Sequence, residues 1–361
     1  MNARSSPLLF AALLAACGTS SGGGGAGPSG LGPSDTSDTC DGIPDAVTLV
    51  DGLGSGEMTG LDVADGDVIF SRRSTTANTK DATVERVRVD GQGRSVLFTE
   101  DLTSELGGGV AAVAGEAVFL GPVRPAAGES ARVIALRAVP VGGGAPRDVG
   151  TTRFVEDRAM ILAKDDDSVY VRAIGLPTDA NDTKIRLVRV RVSAGETTPL
   201  AEDVADADAR VVRGDLFFAT RAGTLMRVPV DGSAAPRQVL PVLCGGGLVG
   251  EERIVCAGTV YDLDGAALRF IAQAPSSVPT VFLPAPALVR TAYRIPLVPE
   301  PRTEGEAAQS KPLRRYAIDA DHNTRIGCVR GRTGLTRVGA THIVWNEVFE
   351  KGRARLVALP R

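Results

Sequence analysis

From residue 46 onward, apolar and polar residues alternate with a period of two in short runs, broken by Gly, Asp and other turn residues. A period of two belongs to half-buried strands, and no stretch sustains the 3.6-residue period of an amphipathic helix. The runs follow a fixed order. An apolar run, a tight polar turn and a second β-rich run form a hairpin. Such hairpins lie at Leu61–Phe70, Val113–Phe119, Leu162–Tyr170, Val212–Phe218, Val249–Val255, Leu288–Ile295 and Val338–Val344. Each is followed by a third strand, most of them ended by turns such as Asp90-Gly91, Asp231-Gly232 and Asp264-Gly265. Fourth strands come next, as at Ser95–Phe98, Thr197–Leu200 and Gln238–Leu240.

The unit recurs about every 37 to 52 residues, the spacing of radial repeat architectures. Its last copy, Gly334–Arg361, stops after the third strand, while the strand-like Ala46–Val50 precedes the first copy without a partner. A sandwich array or open solenoid leaves both ends unpaired. A ring uses one to complete the other and removes exposed sheet edges. The pattern therefore predicts an all-β, seven-bladed β-propeller closed by its N-terminal strand. The Pro-rich stretch Pro284–Pro299 makes the sixth unit irregular and leaves six or eight blades open. A ring also accounts for a long folded region without an internal linker, because each blade needs only its neighbours.

The N-terminus is read as targeting sequence. One charge at Arg4 precedes the apolar run Leu8–Ala16 and then Leu14-Ala15-Ala16-Cys17, a secretory pattern. The L-A-A-C form resembles the bacterial lipobox, which implies lipidation of Cys17 as the mature N-terminus. Gly18 stands where the inner-membrane retention signal of that family is Asp, so the resemblance implies the outer membrane, with the chain facing the periplasm or the cell surface. The expected layout is a signal peptide at 1–16, a lipidated Cys and Gly/Ser/Pro tether at 17–42, and a propeller at 43–361. The tether has almost nothing apolar to bury. Its Gly18-Thr19-Ser20-Ser21-Gly22 matches a nucleophile elbow in letters only, since that motif needs a strand-to-helix turn.

Formal net charge is −3, so nothing suggests nucleic acid as a partner. Aromatic residues make up 4%, which argues against stacking platforms for sugars or bases. No later apolar stretch reaches the length of a membrane span. Beyond Cys17 there are four cysteines, an even number in an exported chain. Three pairings are open; the favoured one joins Cys244 to Cys256, which flank one short segment, and Cys40, just before the closing strand, to Cys328, read as lying just after the sixth unit's outer strand where the seventh begins. With no C-x-x-C and only two histidines, no metal site or cofactor is expected.

The remaining candidates are weak chemical signals. Asp165-Asp166-Asp167 could hold Ca²⁺ but occupies a hairpin turn, where a solvated role is expected. His322 and His342 fall in turns of adjacent units, with no Ser or carboxylate at a telling spacing. Arg213-Gly214-Asp215 is the ordinary turn of its repeat. Arg86, Arg189, Arg227 and Arg315 recur in third strands, where a solvent- or neighbour-facing role is favoured over a basic ring. Long connections between second and third strands carry Arg72, Arg73, Lys80, Asp179, Asp182, Arg302, Glu304 and Glu306. Loop length beyond structural need points to a binding face.

Units such as Leu225-Met226-Arg227-Val228-Pro229-Val230-Asp231-Gly232 resemble those of TolB-like and related lipoprotein propellers of Gram-negative bacteria. The resemblance implies a monomeric, membrane-anchored binding scaffold for a protein or envelope component, without catalysis. The alternative is a propeller hydrolase or lactonase with a metal in its central channel.

Overall fold

The computed structural model describes residues 37, 39–54, 58–73, 81–101, 108–123, 127, 133–156, 158–179, 181–205, 209–243, 248–256, 259–270, 280–285, 288–296, 310–317, 322–349 and 353–361. All lie within the unit Pro33–Arg361. Among them, every extended segment belongs to one of seven four-stranded antiparallel sheets. The first sheet is Met58–Ala64, Asp67–Arg73, Asp81–Arg88 and Ser95–Asp101, hydrogen-bonded in chain order. The others repeat that order, apart from the seventh.

In the seventh sheet, Arg332–Val338, His342–Val348 and Arg353–Pro360 are followed by the N-terminal strand Val47–Gly54. Its register runs from Val47 opposite Ala358 to Gly54 opposite Arg353, with two bulges between. The orphan strand and the incomplete last unit are thus one sheet.

Several hairpins turn tightly for a local reason. Asp65-Gly66, Ala114-Gly115 and Arg213-Gly214 all have positive φ at both residues, as a type I′ turn demands. That geometry matches the twist of the flanking strands. It also shows that Arg213-Gly214 is the ordinary hairpin turn of its repeat.

Alternation along each strand sends one set of side chains to each neighbouring sheet, so the core is a series of layers between sheets. Ile69, Val84, Phe119 and Val139 fill the layer between the first and second sheets. Val118, Ile134, Val169 and Val190 fill the next, and Tyr170, Leu187, Leu216 and Phe218 the one after. Phe217, Leu240 and Ile254 join the fourth sheet to the fifth. Trp345 with Leu313, and Leu356 with Phe70, pack the seventh sheet against the sixth and first. Each such side chain contributes about 1.5–3 kcal/mol by leaving water.

Except between the fourth and fifth sheets, the first strands of neighbouring sheets lie side by side, that of the seventh against that of the first. Gly60 permits this approach, because a Cβ there would sit 2.6 Å from the Val110 nitrogen. This is the arrangement of a β-propeller.

Two sequence readings need correction. Leu288–Pro296 is a single strand paired with Thr280–Ala285, so the sixth hairpin lies earlier than expected. The polar Arg290-Thr291 pair reads as a turn but sits at a bulge within an extended strand. Cys328 lies within the outer strand His322–Val329 of the sixth sheet, opposite Pro312, rather than beyond that strand.

Cys40 and Cys328 form a disulfide, with a Cα–Cα distance of 5.7 Å. The segment around Cys40 is held by more than sulfur. Arg325 Nη1 donates to the Thr39 carbonyl at 2.8 Å and to the Ser37 hydroxyl at 3.2 Å, and Arg330 pairs with Asp45. Cys256 is also disulfide-bonded, and its expected partner Cys244 lies outside the described residues.

Candidate functional site

The recurring arginines resolve into a repeated fastening between sheets. Arg86 Nη1 donates to the Val141 carbonyl of the second sheet at 3.2 Å, while Asp67 sits 2.9 Å from its Nε. Arg189 Nη1 reaches Val230 at 3.4 Å with Asp167 on Nη2 at 3.0 Å. Arg227 Nη1 reaches Leu263 at 3.1 Å with Asp215 3.6 Å from its Nε. Each acceptor is the first residue after a third strand of the next sheet. In the second sheet the equivalent place is taken by Ala138, and its cross-strand partner Arg147 reaches Val192 instead, at 3.2 Å, held by Glu116.

Charge-assisted bonds of this kind exceed neutral ones in strength. These side chains are consumed by the fold and do not form a basic ring. Arg315 is not equivalent to the others. Arg86, Arg189 and Arg227 stand opposite the third residue of the second strand, whereas Arg315 stands opposite the sixth, Tyr293, and is exposed.

The acidic run is likewise spent locally. Asp165 Oδ1 accepts from the backbone of Asp167 at 3.0 Å and of Ser168 at 2.8 Å, and its Oδ2 accepts from the Tyr170 hydroxyl. Burial and that hydrogen bond push the Tyr170 phenol well above its usual range. The Ser168 hydroxyl and Arg189 hold Asp167 below the usual carboxylate value, despite its partial burial. A turn in which two of three carboxylates, Asp165 and Asp167, already have fixed donors is a poor Ca²⁺ cradle.

His322 opens the outer strand of the sixth sheet and His342 the second strand of the seventh. His342 Nδ1 lies 2.9 Å from the Thr341 hydroxyl, and burial lowers its pKa. No group of three metal-ligating side chains converges among the described residues.

The loop residues are only partly within the described set. Lys80, Arg302, Glu304 and Glu306 lie outside it. Arg72 belongs to a buried network, donating to Glu85, which also accepts from Arg94 Nε at 2.8 Å and the Thr83 hydroxyl at 2.9 Å. Arg73 ends the same strand and has partners of its own. Asp182 pairs with Arg186 at 2.7 Å and accepts from the Lys184 backbone, and Asp179 accepts from the Asn181 backbone at 3.0 Å. Arg72 and Arg73 belong to the first sheet and Asp179 and Asp182 to the third, so these four are not brought together. Asp179 is the exposed one among the three whose partners are identified.

The charges that do converge are on the innermost strands. Asp62 of the first sheet accepts from the Ala112 backbone N–H of the second at 2.6 Å and from Lys164 of the third. Lys164 Nζ also donates to the Ala112 carbonyl at 2.9 Å. One peptide edge at the inner rim is therefore clamped by an ammonium and a carboxylate drawn from its two neighbours. Sequence reading passed over both residues as flanks of hairpin turns. Their 102-residue separation leaves no local signal of the pairing.

Lys164→Met is expected to cost about 1–3 kcal/mol, because it strips the nearly buried Asp62 of its charged partner. Urea denaturation would measure this, and an unchanged midpoint would show that the clamp carries no stability.

No protein-family model matches this chain, and no characterised protein matches it in sequence. Solved structures do. Oligogalacturonate lyase in complex with manganese aligns with TM-score 0.54 and 10% identity, over 91% of this chain and 97% of that one. Pyrococcus horikoshii acylaminoacyl peptidase aligns with TM-score 0.54 and 8% identity, over 87% of this chain and 52% of that one. BamB from Moraxella catarrhalis aligns over 87% of this chain and 92% of that one at 10% identity, with a TM-score of 0.48 that carries no argument. The first two likenesses support the β-propeller fold and say nothing of chemistry. No helix among the described residues is long and apolar enough to cross a membrane.

Proposed function

We propose that the chain is a lipid-anchored envelope protein. In this reading a closed, seven-bladed propeller is the binding scaffold for a protein or other envelope component. The observation that carries it is the fastening of residues 37–45 to the ring. A tether leading from a lipid at Cys17 reaches the fold at Ser37. There Arg325, Arg330, Arg314 and the Cys40–Cys328 disulfide receive it before the closing strand begins at Val47. A pull on the anchor is then borne by covalent and charged bonds to the sixth and seventh sheets, and the strand that closes the ring is spared. A disulfide also suits an oxidising compartment.

The prediction is that Cys17→Ala moves the protein from the membrane pellet to the soluble periplasmic fraction and removes the acyl mass from the intact protein. Retention of the variant in the pellet with unchanged mass would refute the anchor.

Support for binding over catalysis comes from Arg86, Arg189 and Arg227 of the third strands and from Asp165 and Asp167, which are held in intramolecular contacts. Asp62, the carboxylate best placed at the inner rim, already has Lys164 and a backbone N–H. The competing reading, a hydrolase with a metal in the channel, requires a stoichiometric divalent ion in the purified protein, and elemental analysis finding one would displace the scaffold reading.

A further inference from the structure

The arginine fastening between sheets is missing at the joint between the seventh sheet and the first. In the first four sheets the third residue of the second strand is Ile69, Val118, Tyr170 or Phe217. These stand opposite Arg86, Ala138, Arg189 and Arg227, with Arg147 across from Ala138. In the seventh sheet that residue is Val344, which stands opposite Ala358, and Ala358 stands opposite Val47. Neither side chain can donate. The carboxylate that opens the second strand as Asp67, Glu116 and Asp215 is replaced there by His342.

The receiving side of the joint is nonetheless intact. Val141, Val192, Val230 and Leu263 take a guanidinium on their carbonyls, each as the first residue after a third strand, and in the first sheet that residue is Val89. Val89 packs into one layer with Val344, Leu49 and Ala358, as Val141 does with Ile69 and Leu263 with Phe217. The turn beyond Val89 lies against the closing strand, since a Cβ on Gly91 would sit 3.3 Å from the Thr48 carbonyl. Yet no described residue donates to the Val89 carbonyl.

The residue after Val89 adds a charge. At the joint of the fourth and fifth sheets, Leu263 takes Arg227 Nη1 at 3.1 Å, and Asp264 lies 3.1 Å from Nη2. Asp90 follows Val89 as Asp264 follows Leu263. Its side chain is 49% exposed and pairs at 3.3 Å with an Arg88 that is itself 60% exposed, a contact worth little in water. Val47 is 44% exposed, so the place is reached from solvent. Arg361 turns its Nη1 to the Gly339 and Ala340 carbonyls of its own sheet, at 2.8 and 2.9 Å.

We propose that this joint is a docking site for an arginine side chain of a protein partner, whose guanidinium donates to the Val89 carbonyl and the Asp90 carboxylate. The chain itself identifies the occupant, because its own guanidiniums fill the same place at the four joints from the first sheet to the fifth. A planar fork of donors suits a carbonyl beside a carboxylate better than a compact ammonium does. The inference rests on the scaffold reading for its partner, whereas the acceptors stand there whatever the chain binds.

The test is a titration of the isotopically labelled full chain with N-acetylarginine amide, followed by the backbone amide NMR shifts of Asp90, Gly91 and Gln92. The neutral isostere N-acetylcitrulline amide is the control. A saturable shift is expected with the arginine amide, and about fivefold weaker binding with the citrulline amide, whose bonds lack the charge. Val47→Arg, which copies Arg147, should fill the site from within, abolish the response and melt about 1–3 °C higher. Asp90→Asn should lose most of the response. Equal binding of the two amides would overturn the site, as would a full response in Val47→Arg. Should Val47→Arg fail to fold, Asp90→Asn decides alone, and an undiminished response sinks the proposal. The titration uses no envelope partner, so a failure of the scaffold reading would leave its outcome unchanged.

Discussion

Cys40→Ser is expected to lower the unfolding free energy by about 5 kcal/mol, the chain-entropy value for a very long loop. The bond closes a loop across 288 residues, from just before the N-terminal strand to the outer strand of the sixth sheet. Its loss enlarges the unfolded ensemble and also acts locally. The contacts of Arg314, Arg325 and Arg330 with Ser37, Thr39 and Asp45 would then remain. Their release would free the last strand to join the ring, Val47–Gly54, whose departure opens an edge along Arg353–Pro360.

Two signatures are expected together in chemical denaturation: a lower midpoint for the variant, and the same drop in the wild type on reduction. Cys40→Ser should respond little further to reductant, apart from any contribution of the bond at Cys256. A midpoint unchanged by the substitution would mean that the arginine contacts and the pairing with Arg353–Pro360 hold the closing strand without the disulfide.

The strand ladder was legible because period-two alternation and positive-φ turns are local properties. Asp65-Gly66 and Arg213-Gly214 announce their hairpins within a few residues. The sixth hairpin was misplaced because alternation shows that a strand exists without showing where it folds back. Leu288–Pro296 departs from strict alternation at Arg290 and Thr291, which look like a turn until the register against Thr280–Ala285 places them at a bulge within one strand. The same limit hid the inter-sheet fastening. Three of its four arginines recur in third strands, yet Arg147 fills the place of Ala138 from the fourth strand, visible only through cross-strand pairing. Arg315 shared their spacing but not their register. The Asp62–Lys164 clamp joins innermost strands two sheets apart, and only the packing of inner strands around the axis brings them together.

Glu85→Ala is expected to cost about 3–5 kcal/mol at neutral pH, the usual effect of removing one partner from a buried ionic cluster. The Glu85 side chain is 0% exposed and accepts from Arg72, Arg94 and Thr83. Burial alone raises its pKa, but the hydrogen bonds from Arg94, Arg72 and Thr83 outweigh it, so the net shift is below the ordinary value of 4.5.

Because the folded state holds the carboxylate below its unfolded pKa, Glu85 contributes its stability above the unfolded value, near 4.5. That contribution is lost as pH falls through the lower folded value. Glu85→Gln should accordingly flatten the acid limb of stability below pH 4.5, while parallel curves for variant and wild type would show that the group does not titrate with folding. The same network bears on the loop face. Arg72→Ala removes a partner of Glu85, so a loss of binding in that variant would report destabilisation as much as contact. Replacing Glu85, Arg72 and Arg94 together by apolar residues should recover most of the loss, because no buried charge is then left unmatched. The exposed Asp179, tied only to its own turn, is the cleaner probe of that face.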